Sequence, residues 1–161
     1  HNPSTTAGDG RGMGPDGAGE ACADRGDGGA GTRACLVLVC GLPGCGKTSL
    51  CRALLARASE EPALLGVPAE WRHICYDSLE AELRGASGEF EPSAWRATRE
   101  RAKDAVRGEL RAAAERGGRV VFLLDDNMYY RSMRKWWYHF AREQCCAFRQ
   151  VFLAAGKEAC L

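Results

Sequence analysis

The run Gly41-Leu42-Pro43-Gly44-Cys45-Gly46-Lys47-Thr48 constrains this chain more than any other feature. It completes the pattern GxxxxGK[ST], and its surroundings agree with it. Before it stands the continuous apolar run Ala34–Cys40 (ACLVLVC), the signature of a strand buried on both faces. After it, Lys47–Ala58 carries Leu50, Ala53 and Leu54 at helical spacing. The glycines let the backbone curl until successive N–H groups point at one centre, and the following helix adds its positive end. Gly41, Leu42, Pro43, Gly44, Cys45, Gly46, Lys47, Thr48 and Ser49 are therefore the expected nucleotide-phosphate binders. Lys47 supplies a point charge for the β- and γ-phosphates, and the Thr48 hydroxyl can ligate Mg²⁺. Nucleotide binding follows from this loop; the reaction does not, because one loop serves switches, motors and kinases.

The apolar period then switches repeatedly between two and helical values. Trp71–Tyr76 (WRHICY) reads as a strand, and Pro92–Arg116 as a helix with Pro near its start and Gly117-Gly118 beyond its end. Arg119–Leu124 is a third strand, Arg131–Cys146 a helix and Phe148–Leu153 a fourth strand, with a further helix starting near Lys157. Strands alternating with helices predict an α/β fold: a parallel sheet between two helical layers.

Residues 1–34 obey a different rule. They hold 10 of the 20 glycines and almost no large apolar side chain. Such a stretch cannot bury enough surface to offset its chain entropy, so a disordered leader is expected, with the folded domain over 35–161. Asp9, Asp16, Glu20, Asp24 and Asp27 interrupt any transit-peptide pattern, and no signal-peptide core is present. No apolar run approaches the roughly 18 residues of a membrane span. Lys+Arg total 22 against 21 Asp+Glu, which excludes a globally basic nucleic-acid binder but leaves room for a local basic face. Nine cysteines occur without paired CxxC or HxxxH spacing. That lends a zinc site little support and favours reduced thiols in the cytoplasm.

In such a sheet ligands gather beyond the carboxyl ends of the strands. After the second strand comes Tyr76-Asp77-Ser78. Asp77 there can accept the proton of an attacking hydroxyl or order the metal shell, and it can equally cap the helix that begins after it. After the third strand come Asp125 and Asp126, the pattern that holds Mg²⁺ through water; which of the two does so stays open. Two adjacent carboxylates at a buried strand end need a cation nearby. Residues 127–150 then carry five basic residues against one acid, interleaved with Tyr129, Tyr130, Trp136, Trp137 and Tyr138. That mixture suits a single-stranded RNA end, and it also suits a helix with one basic and one buried aromatic face. Arg134 can neutralise a transferring phosphoryl group, and His139 reads as a packed core residue. The 92–118 stretch, seven positive and four negative, reads as a solvated helix face.

Taken together, CLVLVCGLPGCGKT, YDS and LLDDNMYYRSMR resemble the L-seryl-tRNA(Sec) kinases over roughly residues 35–158, the last segment most specifically. The resemblance implies a kinase-type P-loop NTPase fold and the ATP- and Mg²⁺-dependent phosphorylation of the serine on Ser-tRNA(Sec), the precursor step to selenocysteine. It implies no membrane or DNA partner. By motif, Lys47, Asp77 and Arg134 would be catalytic, and Thr48, Asp77, Asp125 and Asp126 would serve the metal. Members of that family run longer. They continue into a lid, a fifth strand beside the adenine and a helical tRNA-binding domain, which these 161 residues do not include. The chain alone is thus expected to be inactive. A fourth strand at Phe148–Leu153 is expected to leave an apolar edge. The Elongator-associated tRNA-binding ATPases, which share the kinase-type domain, are the alternative reading.

Overall fold

In the computed structural model, which describes residues 33–64, 66–84 and 92–160, the chain forms β1 (Arg33–Gly41), α1 (Lys47–Glu60), β2 (Glu70–Cys75), α2 (Tyr76–Arg84), α3 (Pro92–Glu115), β3 (Arg119–Asp125), α4 (Arg131–Glu143) and β4 (Ala147–Leu153), followed by a short 3₁₀ turn, Lys157–Cys160. The expected leader lies outside these residues apart from its last two, Arg33 and Ala34, which already belong to β1.

The four strands pair in the order β2-β3-β1-β4, all parallel. The α/β expectation holds, with helices on both faces. Crossovers between parallel strands are right-handed, so the face a helix covers depends on the direction in which the chain steps across the sheet. From β1 to β2 the chain steps one way and α1 covers one face. From β2 to β3, and from β3 to β4, it steps the other way, and α2, α3 and α4 cover the opposite face. The neighbouring strands β1 and β3 thus send their following helices, α1 and α4, to opposite faces, which puts the phosphate loop at the switch point of the sheet.

The alternation of side chains divides the core accordingly. Leu36, Leu38 and Cys40 of β1 and Val120, Phe122 and Leu124 of β3 meet Ala102 and Val106 of α3 and Met133, Trp137, Phe140 and Ala141 of α4. Tyr76 joins this cluster, and its hydroxyl accepts a hydrogen bond from Trp137 Nε1 at 3.0 Å. Full burial of a residue such as Phe122 contributes about 2–3 kcal/mol. The other face is thinner: Val39, Leu123 and Cys51 are buried there, with Val37, Leu50, Leu54, Leu55, Trp71 and Leu153 packed at their margins.

Several expected boundaries shift. Tyr76 opens α2 instead of ending β2. α4 stops at Glu143, not Cys146; Cys145 takes φ 52 and turns the chain into β4, which begins at Ala147. A 3₁₀ turn replaces the helix expected after Lys157. His139 is exposed, not a core residue: of the α4 aromatics Trp137 and Phe140 are buried, whereas His139 stacks edge-on against Tyr138 at 5.6 Å. The α3 face is only partly solvated, because Arg99 and Lys103 lie over the Trp136 ring, 4.2 and 3.9 Å from its centre. β4 does present an exposed apolar edge, with Val151 and Phe152 open to solvent.

Candidate phosphate-binding and phosphoryl-transfer site

Gly44 and Gly46 hold the loop in the left-handed region, φ 75 and 92, which other residues reach only at a cost. Gly46 is the N-cap of α1, and no side chain caps that end, so the first amides of the helix remain available to an anion. A Cβ on Gly44 would strike the carbonyl of Cys160, because the 3₁₀ turn packs directly on the loop.

The cleft above the loop, about 470 Å³, is lined by Pro43, Gly44, Gly46, Lys47, Thr48, Ser49, Asp77, Asp125, Asp126 and Asn127. Residues distant in sequence and singled out for their chemistry thus converge: loop, first residues of α1, start of α2 and end of β3. Gly41 and Leu42 border a neighbouring hollow with Tyr129, Arg134 and Phe152, and Cys45 turns back on the loop through its N–H to the Leu42 carbonyl.

Lys47 is buried. Its Nζ donates to the carbonyls of Gly41 (3.1 Å) and Leu42 (2.8 Å) and to Asn127 Oδ1 (2.9 Å). The ammonium is thereby fixed within the curl of the loop. Asn127 is a site residue that motif reading left unassigned. Only the three-dimensional closure of β3 onto the loop brings it there.

The paired acids diverge. Asp125 is the last residue of β3 and shares the α1 face with Leu123; its carboxylate accepts from His73 Nε2 at 3.0 Å. Asp126 turns the other way and accepts the Asn127 N–H at 2.6 Å. Burial, reinforced by the charges of Asp77 and Glu80, pushes the Asp126 carboxyl up to about 6, against the pull of the Asn127 amide and Lys47. A desolvated carboxylate such as Asp126, at the mouth of a phosphate cradle, is the electrostatic setting a divalent cation stabilises. Thr48 and Asp126 offer the hard oxygens Mg²⁺ prefers, with Asp77 on the same wall.

Arg134 does not line this cleft. Its Nη1 donates to the carbonyls of Met128 (2.6 Å) and Tyr129 (3.0 Å). Met128 is buried with φ 50, an unfavourable backbone for its type, so the guanidinium and the core together hold the turn that aims Asn127. Tyr129 and Tyr130 stand exposed beside it, with Arg131, Lys135 and Tyr138 further along α4.

Comparison with known proteins bears on the fold that carries this site. Residues 36–161 match the family model described as an AAA domain. L-seryl-tRNA(Sec) kinase of Homo sapiens is 28% identical over 78% of this chain and 48% of its own length. The chain therefore spans about half of that relative. Among solved structures, Mycobacterium tuberculosis APS kinase CysC in complex with AMPPNP and APS superposes with a TM-score of 0.60 at 19% identity, covering 80% of this chain and 67% of that one. Chaetomium thermophilum Kti12 in complex with ADP-AlF3 does so with a TM-score of 0.50 at 20% identity, covering 76% and 62%. These likenesses establish the kinase-type P-loop fold. Among the described residues no helix is long and apolar enough to cross a membrane.

Proposed function

This chain belongs to the AAA domain family, and from that premise we propose that it is the nucleotide-binding part of an ATP-dependent kinase acting on the seryl group of Ser-tRNA(Sec). The observation that supports this most is the 125–134 segment. The stretch that carries the resemblance, DDNMYYRSMR, also builds the wall of the cleft: Asn127 meets Lys47, and Arg134 holds the turn between them. The 28% identity to L-seryl-tRNA(Sec) kinase over most of this chain points the same way.

The loop amides from Gly44 to Thr48 bind the phosphates, and Lys47 exchanges its carbonyl partners for β- and γ-phosphate oxygens. Thr48 and Asp126 would hold Mg²⁺, with Asp77 completing the acidic wall. An ion bound there would supply positive charge opposite the phosphate oxygens. Asp125 is engaged by His73, so the metal role passes to Asp126. Asp77 is exposed at the start of α2, within the same cleft, and takes the proton of the seryl hydroxyl as that oxygen attacks the γ-phosphorus and the bond to the β–γ bridging oxygen breaks, releasing ADP. Arg134 acts through the turn it holds; to meet the transferred group it would first have to release Met128 and Tyr129. Tyr129, Tyr130 and the basic side chains of α4 give the unpaired end of a tRNA a surface for stacking and phosphate contacts.

The test supplies Ser-tRNA(Sec), Mg²⁺ and γ-labelled ATP to a protein carrying these 161 residues and follows labelled phosphoserine. Phosphoserine that disappears in Lys47→Ala is the expected result. Phosphate released in a tRNA-stimulated manner without phosphoserine would replace the kinase by the Elongator-associated type of ATPase. An absence of magnesium-nucleotide binding would remove both.

A further inference from the structure

A second cluster of donor atoms lies one helical turn beneath the phosphate loop. Cys51 of α1 is fully buried, the Asp125 side chain is 3% exposed and that of His73 16% exposed. Their Sγ, ring nitrogen and carboxylate oxygen all lie within 4.8 Å of one another. Strand register explains the convergence. His73 and Cys75 alternate onto the same face of β2, Cys75 pairs with Asp125 on β3, and α1 covers that face with Cys51. The surrounding layer is otherwise apolar: Val39, Leu123, Leu50 and Leu54. Placing a carboxylate, an imidazole and a thiol in such a layer costs free energy that valine or leucine would not. Cys51 and His73 do not line the phosphate cleft, so nucleotide binding does not account for them.

We propose that Cys51, His73 and Asp125 form a site for a thiophilic divalent cation of the zinc type, clamping α1, β2 and β3 together below the loop. A sulfur, a nitrogen and an oxygen are the borderline donor set that zinc accepts and Mg²⁺ does not select. Zinc bonds of about 2.0–2.3 Å set donor separations near 3.5 Å, which side-chain rotation within the present triangle reaches. On binding, the Cys51 thiol proton leaves to solvent and the sulfur becomes the thiolate ligand. The His73 Nε2 lone pair turns to the metal, its proton carried on Nδ1. Cys75 is a further donor on the same face. Sequence spacing gave no hint of this site, because its ligands come from three elements at positions 51, 73 and 125.

The experiment titrates the reduced 161-residue chain with Co²⁺, then displaces it with Zn²⁺ against a chromophoric chelator, in the absence of nucleotide. One Co²⁺ per chain with a sulfur-to-cobalt charge-transfer band is expected. The band should vanish in Cys51→Ser and persist in Cys145→Ser, and His73→Ala should weaken zinc binding by roughly 100-fold. Because Cys51→Ser could fail to fold, alkylation of the wild-type chain mapped by mass spectrometry provides a second reading: Zn²⁺ should shield Cys51 and leave the exposed Cys145 reactive. No charge-transfer band in the wild type, a band undiminished in Cys51→Ser, or shielding of Cys145 in place of Cys51 would each overturn the site. Since no nucleotide is present, such a failure leaves the kinase reading untouched.

Discussion

The two faces of the sheet do different work. The face under α2, α3 and α4 is a thick apolar layer in which Phe122, Trp137 and Phe140 are fully buried, Trp137 and Phe140 packed edge to face at 5.3 Å. The face under α1 buries few side chains, and among them are the polar groups Cys51 and Asp125, with His73 close by. Stability is concentrated on one side and chemistry on the other, and the loop lies on the helix that covers the thinner side. A site needs amides and charges kept accessible, which a densely filled layer would bury; the filled layer supplies the rigidity against which the loop is held.

The comparison can be broken most directly at the loop. Lys47→Ala should weaken magnesium-ATP binding by about 100-fold or more, measured by calorimetry, while leaving the thick face folded. A large loss of thermal stability instead would mean that the lysine serves the fold as much as the ligand. Next in size, Phe122→Ala should cost about 3–5 kcal/mol in urea unfolding, against about 1 kcal/mol for the half-buried Leu54→Ala on the opposite face. Equal losses would erase the asymmetry. Arg134→Gln should cost about 1–2 kcal/mol by freeing the carbonyls of Met128 and Tyr129. It should also loosen nucleotide binding through Asn127, which a purely local loss would not do.

Two acids sharpen the contrast between rim and base. The Asp126 carboxyl is raised to about 6, so the folded state holds its proton more tightly than the unfolded chain does. Stability should therefore fall as pH rises from about 4 to about 6 and then level off. Asp126→Asn should lack that slope and be the more stable protein at neutral pH; a parallel profile would show that the carboxyl is not desolvated. Glu70, at the other end of the sheet, behaves in the opposite sense and gives the smallest effect. Its hydrogen bond from Arg116, aided by Arg72, lowers its pKa, so its contribution is present at neutral pH and lost as acid protonates it. Glu70→Gln should flatten the acid limb of the unfolding curve slightly, through a loss at neutral pH of no more than about 0.5 kcal/mol.

Sequence patterning carried the sheet well because parallel strands buried on both faces leave unbroken apolar runs, as ACLVLVC and RVVFLL do. It misplaced Tyr76 because an aromatic after an apolar run looks like more strand; its burial is satisfied by Trp137, 61 residues away. It extended α4 through Cys146 because local composition does not announce the left-handed turn at Cys145. At the site, the position and curl of the loop were legible, since they depend on consecutive residues. Asn127 on Lys47 and His73 on Asp125 were not, because these pairs are 80 and 52 residues apart and depend on strand order. Nor could adjacency decide between Asp125 and Asp126. One still follows the pleat of β3 and the other has left it, a distinction of backbone direction that composition does not record.

The three oxygens around Lys47 Nζ bear on how a nucleotide enters. The ammonium is already solvated by the protein, so a triphosphate arriving there would have to replace acceptors that Nζ already holds. What a binding isotherm reports is then the difference between two sets of partners. Of the three partners only Asn127 belongs to the neighbouring strand's end, so it is the one whose release would couple the loop to β3.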